Sequence, residues 1–229
     1  MLTSQILRIP TSEFLKSFEI CIQLGAIAAA LVLYWRKLLL NFKTIKNVAI
    51  AFLPSAIFGL LFYKLIKGIF LESTGVVLWS LFLGGLFLII FDWRGKKREE
   101  KTLEVENITA RQALVIGMFQ VLSLVPGVSR AAATIVGGLV CKISRRAVVE
   151  FSFLLAIPTM AAATGYDLVK SAGLFSGADF WVLAVGFVMS FVTAILGIKF
   201  LVGITKKHTF VPFCVYRVVV ALVFFLIFF

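Results

Sequence analysis

Pro126-Gly127-Val128-Ser129-Arg130-Ala131-Ala132-Ala133-Thr134 sets an arginine and two hydroxyls between two apolar runs, Ala113 to Val125 and Ala131 to Val140. Each run is only about half of the roughly twenty residues a helix needs to cross a bilayer. Pro126-Gly127 stops the first run before the second begins. A guanidinium at membrane depth costs several kcal/mol unless it is paired or wetted, so it marks a functional site by default. The stretch therefore predicts a broken helical pair, residues 110 to 144, inside a chain whose other apolar segments cross the membrane whole.

The composition agrees. The chain has 229 residues, of which 61% are hydrophobic and 15% charged, and its mean hydropathy is +1.06. That is too apolar for an ordinary soluble domain. Full-length runs stand at Phe18 to Trp35, Val48 to Tyr63 (kinked at Pro54), Gly75 to Phe91, Ala147 to Gly165, Phe180 to Val202 and Phe210 to Phe229. Helices are their backbone, because open strands would leave amides unpaired in lipid. The expected fold is an all-α polytopic membrane protein with one transmembrane domain over residues 1 to 229. Pro10-Thr11-Ser12-Glu13 reads as a helix start capped by Thr11 or Ser12. Asp92 to Arg111, with interleaved bases and acids, reads as a solvated loop or short surface helix.

The net charge of +12 excludes little by itself, but its placement does. The bases cluster in short loops between apolar segments, which argues for a cytoplasmic membrane face and against nucleic acid. Cys21, Cys141 and Cys214 are odd in number and set in apolar runs, so neither a disulfide framework nor a zinc site is indicated. No cleavable signal is visible, since Glu13 and Glu19 precede or open the first run and no basic n-region does.

Loop charge also decides how the broken pair threads. If it dips in and returns, the loops at 36–46, 92–111, 142–146 and 199–207 share one face and carry 16 of the 23 Lys and Arg. The opposite face carries five, and Arg130 and Arg217 lie within apolar segments. A single crossing would scatter the bases over both faces. The positive-inside rule therefore favours a re-entrant hairpin with its tip near Ser129. A weak internal echo suggests an inverted repeat: Phe18-Glu19 opens a helix ending near Tyr34, and Val149-Glu150 opens one ending near Tyr166. On that register the counterpart of the hairpin falls mostly before Met1, so the first repeat is expected to be incomplete.

Chemically, a helix beginning just after Arg130 makes the amides of Ala131, Ala132 and Ala133 candidate donors to an anion, phosphate above all. Arg130 adds a planar fork that can hold two phosphate oxygens. Ser129 and Thr134 add hydroxyls, and Gly127 lets backbone approach a ligand closely. The alternative is an arginine tying two helices together through backbone carbonyls. Gln120 lies on the helix leading into the break. Glu150 is expected to pair with Arg130 or Arg217, or to serve a metal or proton transfer. Glu19 and Gln23 share a helix face and are candidates for the same cavity. His208, the one histidine, sits beside Lys206 and Lys207 in a loop, so no general base stands out near the break.

At Pro126-Gly127-Val128-Ser129-Arg130 with Thr134, the chain resembles the bacterial undecaprenyl-diphosphatase family, also called the bacitracin-resistance proteins. The likeness extends over Phe18-Glu19-Ile20-Cys21-Ile22-Gln23-Leu24-Gly25-Ala26, Gly117-x-x-Gln120, Glu150 to Pro158, and Phe210-Val211-Pro212-Phe213 to Tyr216-Arg217. The resemblance implies removal of the terminal phosphate of undecaprenyl diphosphate, which regenerates the lipid carrier of peptidoglycan precursors. It implies an inverted-repeat fold in the inner membrane of a bacterial cell, a site opening to the periplasm, and a divalent cation, Mg2+ or Ca2+, with its ligands unknown. Ser129, Arg130 and Thr134 would be catalytic. Gly127, Gln120, Glu150, Glu19 and Gln23 would line the polyprenyl diphosphate site. Membrane lipids are the other expected partners, and a homodimer is left open.

Two departures stand out. The family usually has Ser and Gly after the arginine, where this chain has Ala131 and Ala132. The family's second motif, a Glu-rich segment running into Pro-Val-Ser-Ser-Thr-Gly-His, has no match, and Leu2 to Ile9 looks like what normally follows it. Met1 is therefore expected to be internal to a longer frame, or the start to be lost, leaving about half the site. The competing function is a non-enzymatic protein that binds or transports a lipid phosphate, and a third is a purely structural membrane subunit.

Overall fold

The computed structural model describes residues 13–39, 41–62, 74–95, 104–170, 180–205 and 211–228. Among these it holds eight α-helices and no strand: α1 Glu13–Leu39, α2 Phe42–Leu61, α3 Thr74–Gly95, α4 Ala110–Val121, α5 Arg130–Val140, α6 Arg145–Lys170, α7 Phe180–Thr205 and α8 Val211–Phe228. The all-α expectation holds. Four helices, at Ser17–Lys37, Phe42–Leu61, Arg145–Tyr166 and Phe180–Gly203, are long and apolar enough to cross a membrane, and the protein is a membrane protein. At 1.5 Å per residue, α4 and α5 reach only about 16 to 18 Å each, well short of a ~30 Å hydrocarbon core.

Several helix limits differ from the hydropathy reading. The loop expected at 36–46 is mostly helix, because α1 runs on to Leu39 and Asn41 caps α2 by accepting from the Thr44 amide at 3.1 Å. Lys43 and Lys46 therefore ride the first turns of α2, exposed. The described part of the 92–111 segment is not wholly solvated either. A 3-10 turn at Val105–Asn107 buries Val105 and Ile108, and the Asn47 side chain donates to the Ile108 carbonyl at 2.7 Å. The Thr11/Ser12 cap and His208 lie outside the described residues.

The chain forms two compact units. One comprises Met1–Tyr34 and Ala156–Lys199, the other Trp35–Leu155 and Phe200–Phe229. In the first, α1 approaches α7 closely, and Ser190 Oγ donates to the Ile22 carbonyl at 2.5 Å. Much of α7 presents Phe180, Trp181, Val185, Val188 and Met189 outward, which suits a surface bathed in acyl chains rather than water.

The second unit contains the break. There α2 packs on α4, α4 on α5, and α3 on α8. Gly117 makes the α2–α4 crossing close: a Cβ there would press into the Ala51 carbonyl. The pair α4–α5 is a helical hairpin. Thr109 and Gln112 form a capping box at its start, and Gln112 Nε2 donates across to the Cys141 carbonyl at 3.3 Å, tying the start of α4 to the end of α5. Ser144, whose hydroxyl accepts from the Ala147 amide at 3.3 Å, then opens α6.

Candidate functional site

The break is built from turn chemistry. After α4 a 3-10 turn spans Leu122–Leu124, the Val128 amide donates to the Val125 carbonyl at 3.1 Å, and Gly127 adopts φ +92°. An L side chain is strained at that φ, and a Cβ at Gly127 would also run into the Val77 carbonyl of α3. Ser129 is the N-cap of α5, its hydroxyl accepting from the Ala132 amide at 3.3 Å, while the Ser129 carbonyl accepts from Ala133 at 3.0 Å. The expected donor window at Ala131 to Ala133 is thus displaced. Capping uses up Ala132, the first internal helix bond uses Ala133, and the helix-end donors among the described residues are the amides of Arg130 and Ala131.

Arg130 sits on the first turn, part-buried, with Nη1 directed at the Ser152 carbonyl of α6 at 3.5 Å, a long and weak bond. Thr134, one turn on, is fully buried at 0% exposure. Its hydroxyl lies 3.0 Å from the Arg130 carbonyl and 2.7 Å from Ser152 Oγ. If Ser152 donates to Thr134 and Thr134 to the Arg130 carbonyl, the three residues close a ring in which Ser152 holds Arg130 at both ends. In that arrangement Thr134 braces the arginine from behind.

Arg217 comes from α8. It is 4% exposed, and its Nη2 donates to the Gly127 carbonyl at 2.8 Å. Among the described residues neither arginine has a carboxylate partner. The pairing expected for Glu150 is corrected: Glu150, 6% exposed, is paired with Lys37 of α1, and with Arg146 of its own helix at 3.2 Å. The reason is helical phase. Glu150 and Ser152 are two residues apart, so they point about 200° apart around α6. The face that meets the hairpin through Ser152 cannot also present Glu150.

Gly127, Ser129, Arg130 and Thr134 are thus brought together, with Ser152 and Arg217 added. Gln120 lies elsewhere in the same unit, fully buried, with Nε2 donating to Ser55 Oγ of α2 at 2.6 Å. Glu19 and Gln23 belong to the other unit, where Glu19 is exposed and the Gln23 side-chain oxygen accepts from the Thr164 hydroxyl at 3.1 Å. Sequence reading missed Ser152, whose only signal was its place in the Glu150 to Pro158 block. It also missed Arg217's hold on the break, signalled only by an arginine in an otherwise apolar run. For the expected divalent cation, the described residues contain no group of three His, Cys, Asp or Glu that could ligate it. Glu150 is already committed to two cations, so these residues do not fit a protein-built metal site.

The family model described as Bacitracin resistance protein BacA matches residues 1–223. The undecaprenyl-diphosphatase of Aquifex aeolicus is 44% identical over 224 residues, covering 98% of this chain and 87% of that protein. That of Wolinella succinogenes is 42% identical over the same shares. That of Campylobacter jejuni is 39% identical over 230 residues, 100% of this chain and 85% of the relative. A family match over nearly the whole chain and relatives at about 40% identity agree, and the chain belongs to the bacitracin-resistance protein BacA family.

Proposed function

We infer that the protein is a membrane phosphatase that hydrolyses undecaprenyl diphosphate to undecaprenyl phosphate and phosphate, recycling the lipid carrier used for peptidoglycan precursors. The observation that carries this reading is Arg130: a guanidinium that has no counter-ion among the described residues, on the first turn of a helix whose leading amides meet no acceptor among them. Such an end attracts an anion through both its donors and its dipole. Relatives named for the same activity match along almost the whole chain.

In the reaction, water adds to the terminal phosphorus as the bridging P–O bond breaks; that bond's electron pair leaves with the prenyl phosphate, and the proton water gives up passes to a phosphate oxygen. Arg130 and the amides of Arg130 and Ala131 hold the non-bridging oxygens as charge shifts among them. The Ser129 hydroxyl accepts from Ala132 and keeps its own proton to donate to a phosphoryl oxygen. Thr134 fixes the Arg130 backbone. No step is routed through a metal ion, for which the described residues offer no ligand set. The basic loops support a multi-pass placement in the bacterial inner membrane, with the hairpin re-entrant and its tip toward the periplasm.

The test is phosphate release from undecaprenyl diphosphate by the purified chain in detergent. Arg130→Gln should fold and lose about 100-fold or more in rate. Transport of the lipid without phosphate release would favour the carrier reading, and an Arg130 variant that cannot fold would favour a structural arginine.

A further inference from the structure

Of Arg217's five guanidinium donors, one meets an acceptor among the described residues, the Gly127 carbonyl at 2.8 Å. The side chain is 4% exposed and has no carboxylate partner among the described residues. An uncompensated buried guanidinium is costly, and an anionic ligand removes that cost. Arg217 also lines a cavity of about 120 Å³ whose other walls include Gly84 and Phe87 of α3, Phe119 of α4, Val128, and Val136 of α5. Those walls are apolar, so the cavity suits an occupant charged at one end and greasy at the other. Leu88, Ala132 and Val136 are shared with a second, smaller apolar cavity of about 40 Å³ along the same face of α5.

The two arginines reach the break by different routes. Arg130 leans on α6 through Ser152, whereas Arg217 enters from α8 through Gly127. A diphosphate likewise has two inequivalent phosphates, one terminal and one attached to the lipid. We propose that Arg217 and the apolar cavity beside it form a prenyl-phosphate subsite. The guanidinium takes the lipid-attached phosphate and the walls take the first isoprene units. This rests on the substrate inferred above and assigns its parts: Arg130 serves the phosphate that is released, Arg217 the one that stays.

The test is equilibrium binding to the full chain in detergent, with farnesyl phosphate and inorganic phosphate as probes. Arg217→Gln should weaken farnesyl phosphate about tenfold, and Arg217→Lys should restore part of the loss. Val136→Phe, which fills the cavity between one and two turns from the start of α5, should weaken farnesyl phosphate about fivefold and leave inorganic phosphate unchanged. Farnesyl phosphate affinity unaltered in Arg217→Gln, or equal weakening of both probes by Val136→Phe, overturns the proposal. Should Arg217→Gln not fold, Gly84→Ala is the substitute. Its methyl would lie 3.2 Å from Arg217 Nη2, so displacement of the guanidinium should lower farnesyl phosphate affinity, and no change refutes the subsite. Hydrolysis of undecaprenyl diphosphate by the same native preparation is scored separately. Arg217-dependent binding without hydrolysis refutes the phosphatase reading and keeps the subsite, and hydrolysis with Arg217-independent binding does the reverse.

Discussion

Thr134 and Ser152 offer a sharp test of how the catalytic arginine is held. Thr134→Val keeps the shape of the side chain and removes its hydroxyl, which strands Ser152 Oγ, now 2.7 Å away and 3% exposed. A stranded hydroxyl in a soluble core costs about 1–3 kcal/mol. Hydrogen bonds between helices in a bilayer are worth nearer 0.6, with roughly 1.7 as a ceiling. Ser152 can also turn its proton back onto its own helix, so the low end wins. We expect about 1 kcal/mol for Thr134→Val, about 1 for Ser152→Ala, and about 1 rather than 2 for the double variant. For a chain of this length that is a fall of about 2–4 °C in Tm for each variant. Because the ring also carries the Arg130 carbonyl and the bond from Nη1, each single variant should slow phosphate release by about tenfold, and the double by no more. Thermal unfolding in detergent and a phosphate-release assay read both quantities. Additive losses in Tm, or a double variant slower by the product of the two, would show that the hydroxyls act separately and that the ring does not exist.

Three further outcomes follow from the same geometry. Gly127→Ala meets both a φ of +92° and the Val77 carbonyl; it should cost about 2 kcal/mol or more and abolish turnover, and a fully active variant would refute the tight approach of break and α3. Gly117→Ala gains up to about 1 kcal/mol in helix propensity but forces the α2 and α4 backbones apart, which costs about 1–3, so a net loss of Tm is expected and a gain would sink the crossing geometry. Glu150→Gln leaves Lys37 and Arg146 without their carboxylate, yet both are partly exposed, so about 1 kcal/mol of stability should go while KM moves less than about twofold; a large rise in KM would return Glu150 to the substrate.

The sequence carried the helices and the break because both are one-dimensional signals. Hydropathy finds spans, and Pro126-Gly127 ahead of Ser129 marks a stop and a cap. It erred where polar residues sit inside helices. Lys43 and Lys46 read as loop because they are charged, although Asn41 before Phe42 is a legible cap. Thr109-x-x-Gln112 was equally legible and would have started α4 at Ala110 instead of Ala113. The donor window slipped by one residue because Ser129 was weighed as a ligand rather than as the cap it is. Ser152 and Arg217 were beyond reach for another reason. Their partners are 22 and 90 residues away, and no local pattern encodes that pairing without the packing of α6 and α8.

The buried carboxylate of the same unit, Glu150, bears on why the two arginines stay available. Arg130 and Arg217 are embedded in a unit that also buries Glu150, and a carboxylate turned toward either would neutralise it and compete with phosphate. Two features prevent this. Helical phase sends Glu150 to the side of α6 away from Ser152, and Lys37 with Arg146 satisfies it there. The bonds the arginines do make are to carbonyls, which orient a guanidinium and leave its charge intact. Carbonyls can hold an arginine in a membrane protein, but they do not neutralise it. An arginine aimed, among the described residues, by carbonyls alone, while the buried acid of the same unit is held by other cations, stays charged for a ligand that brings its own negative charge.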